Sequence, residues 1–177
     1  MNTLSTSLWS HIRTVQDFPK AGISFFDLTP LFMSQIEPLT DALIASIPAE
    51  KLAEVDSFVA VEARGFVLAT LLAQRTGKGL VLVRKAGKLP PPVVGVGYSL
   101  EYGLDRLEMN AEVAAQKVII VDDVLATGGT LKAVKQLAEK CHHTVLGASI
   151  FLDLPDLHGD LGMDIWTVLD DKSKPAE

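Results

Sequence analysis

The sequence predicts an α/β fold with a mostly parallel central sheet covered by helices on both faces. Three observations carry this reading. Short, nearly uninterrupted apolar runs at Ser57–Val61, Leu80–Val83, Lys117–Val121 and Thr144–Phe151 have the character of strands buried on both sides. Stretches of helical length separate the first two runs and the last two, giving strand-helix-strand units. The glycine-rich and charged residues fall just after strand ends, where open α/β sheets place their ligands.

Taken in order, apolar residues between Leu4 and Val15 predict a short N-terminal helix, and Asp17 to Gly22 is a turn signal. Ser24-Phe25-Phe26-Asp27 reads as irregular, with Pro30 limiting any strand there. Ser34, with Glu37 three residues on, predicts a capping box opening a helix that runs to about Ile47. After the Ser57–Val61 strand, Phe66, Leu68, Ala69, Leu72 and Ala73 give a helix over Arg64–Gln74, ended by Gly77 and Gly79. Beyond Leu80–Val83, the segment Arg84–Gly97 holds three prolines, three glycines and three basic residues, so it is expected to be a long mobile loop. Tyr98–Tyr102 and Leu104–Met109 form a hairpin at its base, with Gly103 at or near the bend. Thr130–Lys140 is the helix after Lys117–Val121, and Asp164–Leu169 reads as a last strand. One domain spans 1–177, with no internal repeat.

Composition narrows the function. The 177 residues carry a formal net charge of -6, which argues against wholesale nucleic-acid binding. A hydrophobic fraction of 48% with only 6% aromatics implies a Val, Leu, Ile and Ala core. Cys141 is the one cysteine, which leaves no intrachain disulfide and no thiolate zinc site and fits a reducing compartment. The start of the chain lacks a secretory pattern, and no apolar run approaches the ~18 residues of a membrane span. The expectation is a cytoplasmic protein with no membrane partner.

Two loops stand out. After Val118-Ile-Ile-Val121 come Asp122 and Asp123, then Val124-Leu125-Ala126-Thr127-Gly128-Gly129-Thr130. The glycines allow close backbone approach, the threonines offer hydroxyls, and the following helix offers amide donors, which together suit a phosphate. A plain turn with a helix cap is the alternative. The loop lacks the lysine of the Walker nucleotide motif. Between Glu62 and Glu101 there is no acidic residue, while Arg64, Arg84, Lys85 and Lys88 fall in or beside the strand-end loops. Arginine clamps phosphoryl oxygens with its planar fork, and lysine supplies a mobile point charge. A phosphorylated sugar with Mg2+ and a second anionic group satisfies both loops. The residues alone do not say which sugar or acceptor.

The Val118–Thr130 run resembles the 5-phosphoribosyl 1-pyrophosphate (PRPP) binding motif of type I phosphoribosyltransferases. Its Asp-Asp-x-Leu-Ala-Thr-Gly-Gly form is similar to that of the adenine phosphoribosyltransferase family. So are Glu62-Ala-Arg-Gly-Phe66, Arg84-Lys-Ala-Gly-Lys-Leu-Pro90, Tyr98-Ser-Leu-Glu-Tyr-Gly103, and Phe18-Pro19, Gly22 and Phe25–Pro30. The resemblance implies the type I Rossmann-like fold, with an N-terminal base-binding hood over 1–34 and a flexible catalytic loop and hairpin over 84–109. It implies transfer from PRPP to adenine, giving AMP and pyrophosphate, with Mg2+ held mainly by the substrate and water rather than by direct protein ligands. It implies a homodimer in purine salvage.

The same resemblance assigns roles. Ala126, Thr127, Gly128, Gly129 and Thr130 would hold the 5-phosphate, and Asp122 and Asp123 the ribose hydroxyls. Arg64, at a turn that can hold a non-proline cis peptide in the family, would bind pyrophosphate. So would Arg84, Lys85 and Lys88, some of them across the dimer interface. Phe25 and Val124 would sandwich adenine, with backbone near Ser24 and Phe26 reading its edge, and Glu101 would handle a proton. Catalysis would then rest on Glu101, Arg64 and Asp123. The chain departs from the family at Phe26, commonly arginine, at Ala86, usually proline, and at Met109-Asn110, frequently Ile-His. Losing the proline removes some preorganisation from the loop.

Overall fold

A computed structural model describes residues 3–100 and 103–175. The chain opens with helix α1 (Thr3–Trp9) and a small antiparallel pair, β1 (Arg13–Gln16) and β2 (Ser24–Asp27), with Val15 opposite Phe25. Three helices follow: α2 (Thr29–Ser34), α3 (Ile36–Ser46) and α4 (Ala49–Glu54). Then come β3 (Ser57–Val61), α5 (Arg64–Thr76), β4 (Gly79–Lys85), the hairpin β5 (Val93–Leu100) and β6 (Gly103–Asn110), β7 (Lys117–Leu125), α6 (Gly129–Lys140), β8 (Thr144–Asp153) and β9 (Ile165–Asp170).

The main sheet has seven strands in the order β5-β6-β4-β3-β7-β8-β9. The pairs β4–β3, β3–β7, β7–β8 and β8–β9 are parallel, and the hairpin adds an antiparallel edge. All five residues of β3 are buried, as its central place requires. Two apolar cores lie on opposite faces. One gathers Leu39, Leu43, Phe58, Leu68, Leu72, Ile119 and Phe151 under α1, α3 and α5. The other gathers Val59, Val83, Leu107, Met109, Ile120, Leu131 and Leu137 under α6 and the hairpin. Neighbouring strand residues alternate between the two cores, so Phe58 and Ala60 face α5 while Val59 and Val61 face the other side.

Several expected elements differ. The N-terminal helix stops at Trp9, and Val15 belongs to a strand. Ser24–Asp27 is that strand's partner rather than irregular chain, because Arg13 Nη2 meets Asp27 Oδ2 at 2.8 Å and Ser24 donates to Gln16 at 2.8 Å. Pro30 sits in the first turn of α2, where its missing N–H costs nothing. Ser34 is the last residue of that helix and donates to the Pro30 carbonyl at 3.0 Å, so it caps nothing; α3 starts from Gln35 without a side-chain cap. The expected long loop over Arg84–Gly97 shrinks to residues 86–92, because β4 runs on to Lys85 and β5 begins at Val93. Glu108, buried on β6, fixes its tip by accepting from the Gly87 N–H at 2.9 Å.

The sheet order explains where a ligand belongs. From β3 the chain moves to β4 on one side, whereas β7 lies on the other. The carboxyl ends of β3 and β7 therefore flank a topological switch point, the crevice where open α/β sheets bind ligands. Glu62–Gly65 and Asp122–Thr130 are the two segments leaving those ends.

Candidate active site

β7 does not end at Val121. Val124 and Leu125 pair with Leu152 and Asp153 of the longer neighbour β8, which carries the two aspartates within the strand. Both carboxyls bear on the start of α5, Asp122 beside Gly65 and Asp123 on Arg64, and they interact with each other. Asp122 points toward the start of α5, where a Cβ at Gly65 would lie 2.8 Å from the Val121 carbonyl and 3.3 Å from Asp122 Oδ1. Only glycine lets the helix approach this closely. Burial, and then the charge of Asp123, push the Asp122 carboxyl well above the usual carboxylate range; the Asp123 N–H, donating to Asp122 Oδ1 at 2.9 Å, acts in the opposite direction.

Asp123, buried, meets Arg64. Asp123 Oδ2 lies 2.5 Å from Arg64 Nε as an ion pair, without the angle of a hydrogen bond. The Arg64 guanidinium also donates through Nη1 to the Phe26 carbonyl at 2.7 Å, and its Cζ sits 4.7 Å from the centre of the Phe25 ring. A flat cationic group therefore covers the aromatic face and takes the backbone acceptor assigned to the base. Phe18 stands edge-on to Phe25 with centroids 5.1 Å apart, and Trp9 edge-on to Phe26 at 6.1 Å. Ser24 is turned to Gln16 and Val124 packs against the core beneath α5.

Ala126–Thr130 curls around a cavity of about 90 Å³ that Asp122, Val124 and Ile150 also line. Gly128 takes a left-handed φ of +77° at the start of α6, so the backbone turns sharply and the first-turn amides of the helix face the opening. A Cβ at Gly128 would lie 2.5 Å from Leu161 Cδ2, which closes the turn from outside. The Tyr98 phenol is pushed up chiefly by burial, with hydrogen-bonding contact to Thr130 acting against it.

At the β4 end, Arg84 and Lys85 meet carboxylates. Glu62 accepts from the Lys85 N–H at 2.9 Å and from Arg84 Nε and Nη2, each at 3.3 Å, which together hold its carboxyl below the usual range. Lys85 Nζ pairs with Asp105 Oδ2 at 3.0 Å, which raises the lysine and lowers the carboxyl. Lys88 is exposed and offers its carbonyl to Arg84 Nη1 at 3.4 Å. The non-proline cis bond at this turn is Glu62–Ala63. Glu101 lies outside the described residues.

Thus Arg64, Asp122, Asp123, Phe25, the Phe26 carbonyl and the 126–130 turn meet at the switch point, while Arg84, Lys85 and Lys88 stand beside it on the β4 end. Sequence reasoning gave no role to Glu62, Asp105 or Phe18. Glu62 and Phe18 lay inside motifs already singled out. The Lys85–Asp105 pair joins β4 to β6, and no local spacing announces it.

A glycine-rich turn after paired aspartates, beside an arginine at the switch of a mostly parallel sheet, is the architecture of a phosphoribosyl transferase domain, and the model of that family matches residues 33–176. Among curated proteins, the adenine phosphoribosyltransferase of Mycolicibacterium smegmatis is 47% identical over 152 residues, covering 83% of this chain and 82% of that one. The crystal structure of the Rhodothermus marinus adenine phosphoribosyltransferase superposes with a TM-score of 0.85 at 36% identity, covering 95% of this chain and 98% of that one. The Saccharomyces cerevisiae adenine phosphoribosyltransferase, solved with adenine and an imino-altritol bisphosphate, gives 0.86 at 33% identity, covering 96% and 100%. The chain belongs to the adenine phosphoribosyltransferase family.

Proposed function

We propose that the chain transfers the 5-phosphoribosyl group of PRPP to adenine, giving AMP and pyrophosphate in purine salvage. The observation that supports this best is the meeting of Asp123, Arg64, the Phe26 carbonyl and the 126–130 cavity at one sheet edge in a member of this family. The 5-phosphate lies in the 126–130 turn on the α6 amides, and Asp122 and Asp123 take the ribose hydroxyls. The bond from C1 of the ribose to the pyrophosphate oxygen breaks, and its electron pair leaves with the pyrophosphate. Adenine N9 forms the new bond to C1 and gives up its proton, for which Glu101 is the acceptor. Arg64, Arg84, Lys85 and Lys88 stabilise the departing charge.

The base site carries its own selectivity. The Phe26 carbonyl only accepts, so it suits the amino group of adenine and leaves a 6-oxo base with an unpaired acceptor. Arg64 donates to this same acceptor. When pyrophosphate draws the guanidinium away, the Phe25 face and the Phe26 carbonyl come free for the base. Backbone recognition also explains why Phe26 can replace arginine here.

Among the described residues no group of three or more His, Cys, Asp or Glu side chains gathers to hold a metal. Mg2+ keeps several waters and takes few carboxylates, so these residues fit an ion bound mainly by PRPP oxygens. Bound there, it would offset charge on the leaving group. The 1–34 segment serves as the base hood and 84–109 as the catalytic loop and hairpin, in a cytoplasmic homodimer with no nucleic-acid or membrane partner. Among the described residues no helix is long and apolar enough to cross a membrane.

Incubation with PRPP, Mg2+ and a panel of bases tests the reading. Adenine is expected to release pyrophosphate and yield AMP, with hypoxanthine and guanine far slower. Turnover of an oxopurine with adenine inert would overturn the base assignment; PRPP binding without turnover of any base would indicate a PRPP sensor.

A further inference from the structure

His158 lies outside every motif described above, in the segment 154–162 that leads from β8 toward β9. Its Nδ1 is 3.0 Å from the Gly159 carbonyl and its Nε2 is 2.8 Å from Asp153 Oδ1. Carbonyl and carboxylate oxygens only accept, so both contacts are hydrogen bonds at once only when each ring nitrogen carries a proton, as in the imidazolium. Both side chains are largely enclosed, at 12% and 16% exposure. The segment is tied to the phosphate turn at two places. Asp153 is the strand partner of Leu125, which immediately precedes Ala126, and the Leu154 N–H donates to the Leu125 carbonyl at 2.9 Å. Leu161, 7% exposed, fills the space where a Cβ on Gly128 would stand. Lys135 Nζ fixes the far end by donating to the Gly162 carbonyl at 2.6 Å.

We propose that His158 is a positioning residue: as an imidazolium it clamps the 154–162 segment to the end of β8, so that Leu161 holds the Gly128 turn in the shape that takes the 5-phosphate. Deprotonation would turn a lone pair either on the Asp153 carboxylate or on the Gly159 carbonyl, and one of the two contacts would be lost. The other charged groups nearby are Lys132 on α6, which opposes the imidazolium, and Asp156 and Asp160 on the segment itself, Asp156 already pairing with Lys172 at 2.8 Å. The Gly159 carbonyl first, and Asp153 after it, raise the histidine above its ordinary value. The clamp is therefore complete below the ordinary histidine range and is lost as pH rises through the raised value. The inference rests on the 126–130 turn being the phosphate site.

Binding of ribose 5-phosphate to the full chain, followed by intrinsic tryptophan fluorescence from pH 6 to 8.5, tests it. His158→Gln is expected to bind roughly three- to tenfold more weakly than the wild type at pH 6. That ratio should approach one at pH 8.5, while His158→Arg, which keeps the charge, should bind tightly across the range. The ligand's own ionisation favours binding as pH rises, and it is common to all variants. A ratio that stays at one, or that does not change with pH, would overturn the proposal. On the wild type alone, saturating ribose 5-phosphate should raise the NMR-monitored pKa of His158, by reciprocity; an unmoved titration would also overturn it. No binding of ribose 5-phosphate by the folded wild type at any pH would instead sink the phosphate-site reading.

Discussion

Gly65→Ala probes the contact on which the whole site is built. Gly65 lies in the first turn of α5, buried against the carboxyl end of β7. Two effects compete. Alanine gains up to about 1 kcal/mol of helix propensity over glycine in a helix interior, and less in a first turn. Against this, the new Cβ would stand 2.8 Å from the Val121 carbonyl oxygen, a backbone atom in the central sheet that cannot rotate away. Overpacking of this kind costs about 1–3 kcal/mol. The clash wins, leaving a net loss of roughly 1–2 kcal/mol and a Tm lowered by about 2–8 °C for a chain of this size. Relief comes from moving α5 away from β7, which shifts Arg64 and Asp122 relative to each other. The KM for PRPP should therefore rise about tenfold, more than the stability loss alone would cause. Thermal unfolding followed by circular dichroism, with steady-state kinetics at fixed adenine, measures both. A variant with unchanged or higher Tm and unchanged KM would refute the claim that close approach of α5 to β7 shapes the site.

Asp122→Asn should raise the Tm of the ligand-free protein by about 2–4 °C, because a buried carboxyl beside Asp123 loses its charge, while weakening PRPP binding. In the wild type the same carboxyl should make the ligand-free protein less stable as pH rises from the ordinary carboxylate range through its raised value, a trend the asparagine variant should lack in urea titrations. Glu62→Gln should cost ~1 kcal/mol at neutral pH through weakened bonds to Lys85 and Arg84. Because the Glu62 carboxyl is held low, that cost should vanish on acidification through its depressed value, and a gap that persists in acid would speak against the pairing. Glu101→Ala should lower kcat more than PRPP affinity, and unchanged turnover would remove its role in taking the N9 proton.

The elements that the sequence made legible are those whose burial is decided locally. Ser57–Val61 has the predicted bounds because a central parallel strand must be apolar on both faces. The start of α5 at Arg64 and the end of α6 at Lys140 also match, each marked by a change from periodic apolar residues to turn chemistry. What could not be read depended on partners distant in the chain. Asp122–Leu125 remains strand only because β8 lies beside it. Ser24–Asp27 has no alternating pattern, and its pairing with Arg13–Gln16 is set across the turn around cis Phe18–Pro19. Ser34 carried the spacing of a capping box, but a proline-initiated turn just upstream had already claimed it as a helix end. At the site, residue types and order singled out the 126–130 turn and the aspartate pair. They could not announce that Arg64 folds back onto Asp123 and Phe26, nor that Glu62 holds the Arg84 guanidinium and the Lys85 backbone N–H, since neither contact has a sequence period.

Arg64 with Asp123, Arg84 with Glu62, and Lys85 with Asp105 place three of the four assigned cations on carboxylates. On the proposed binding mode, an anion enters this edge by exchange with these carboxylates rather than by filling a bare positive field. A small single anion such as sulfate displaces one carboxylate at most and gains little from doing so. A diphosphate can replace several in one event, and its sugar hydroxyls give the released Asp123 a new partner at the same moment. On that binding mode, selectivity for the complete donor over its fragments would arise from internal competition, with the protein's own acids acting as the rival ligands.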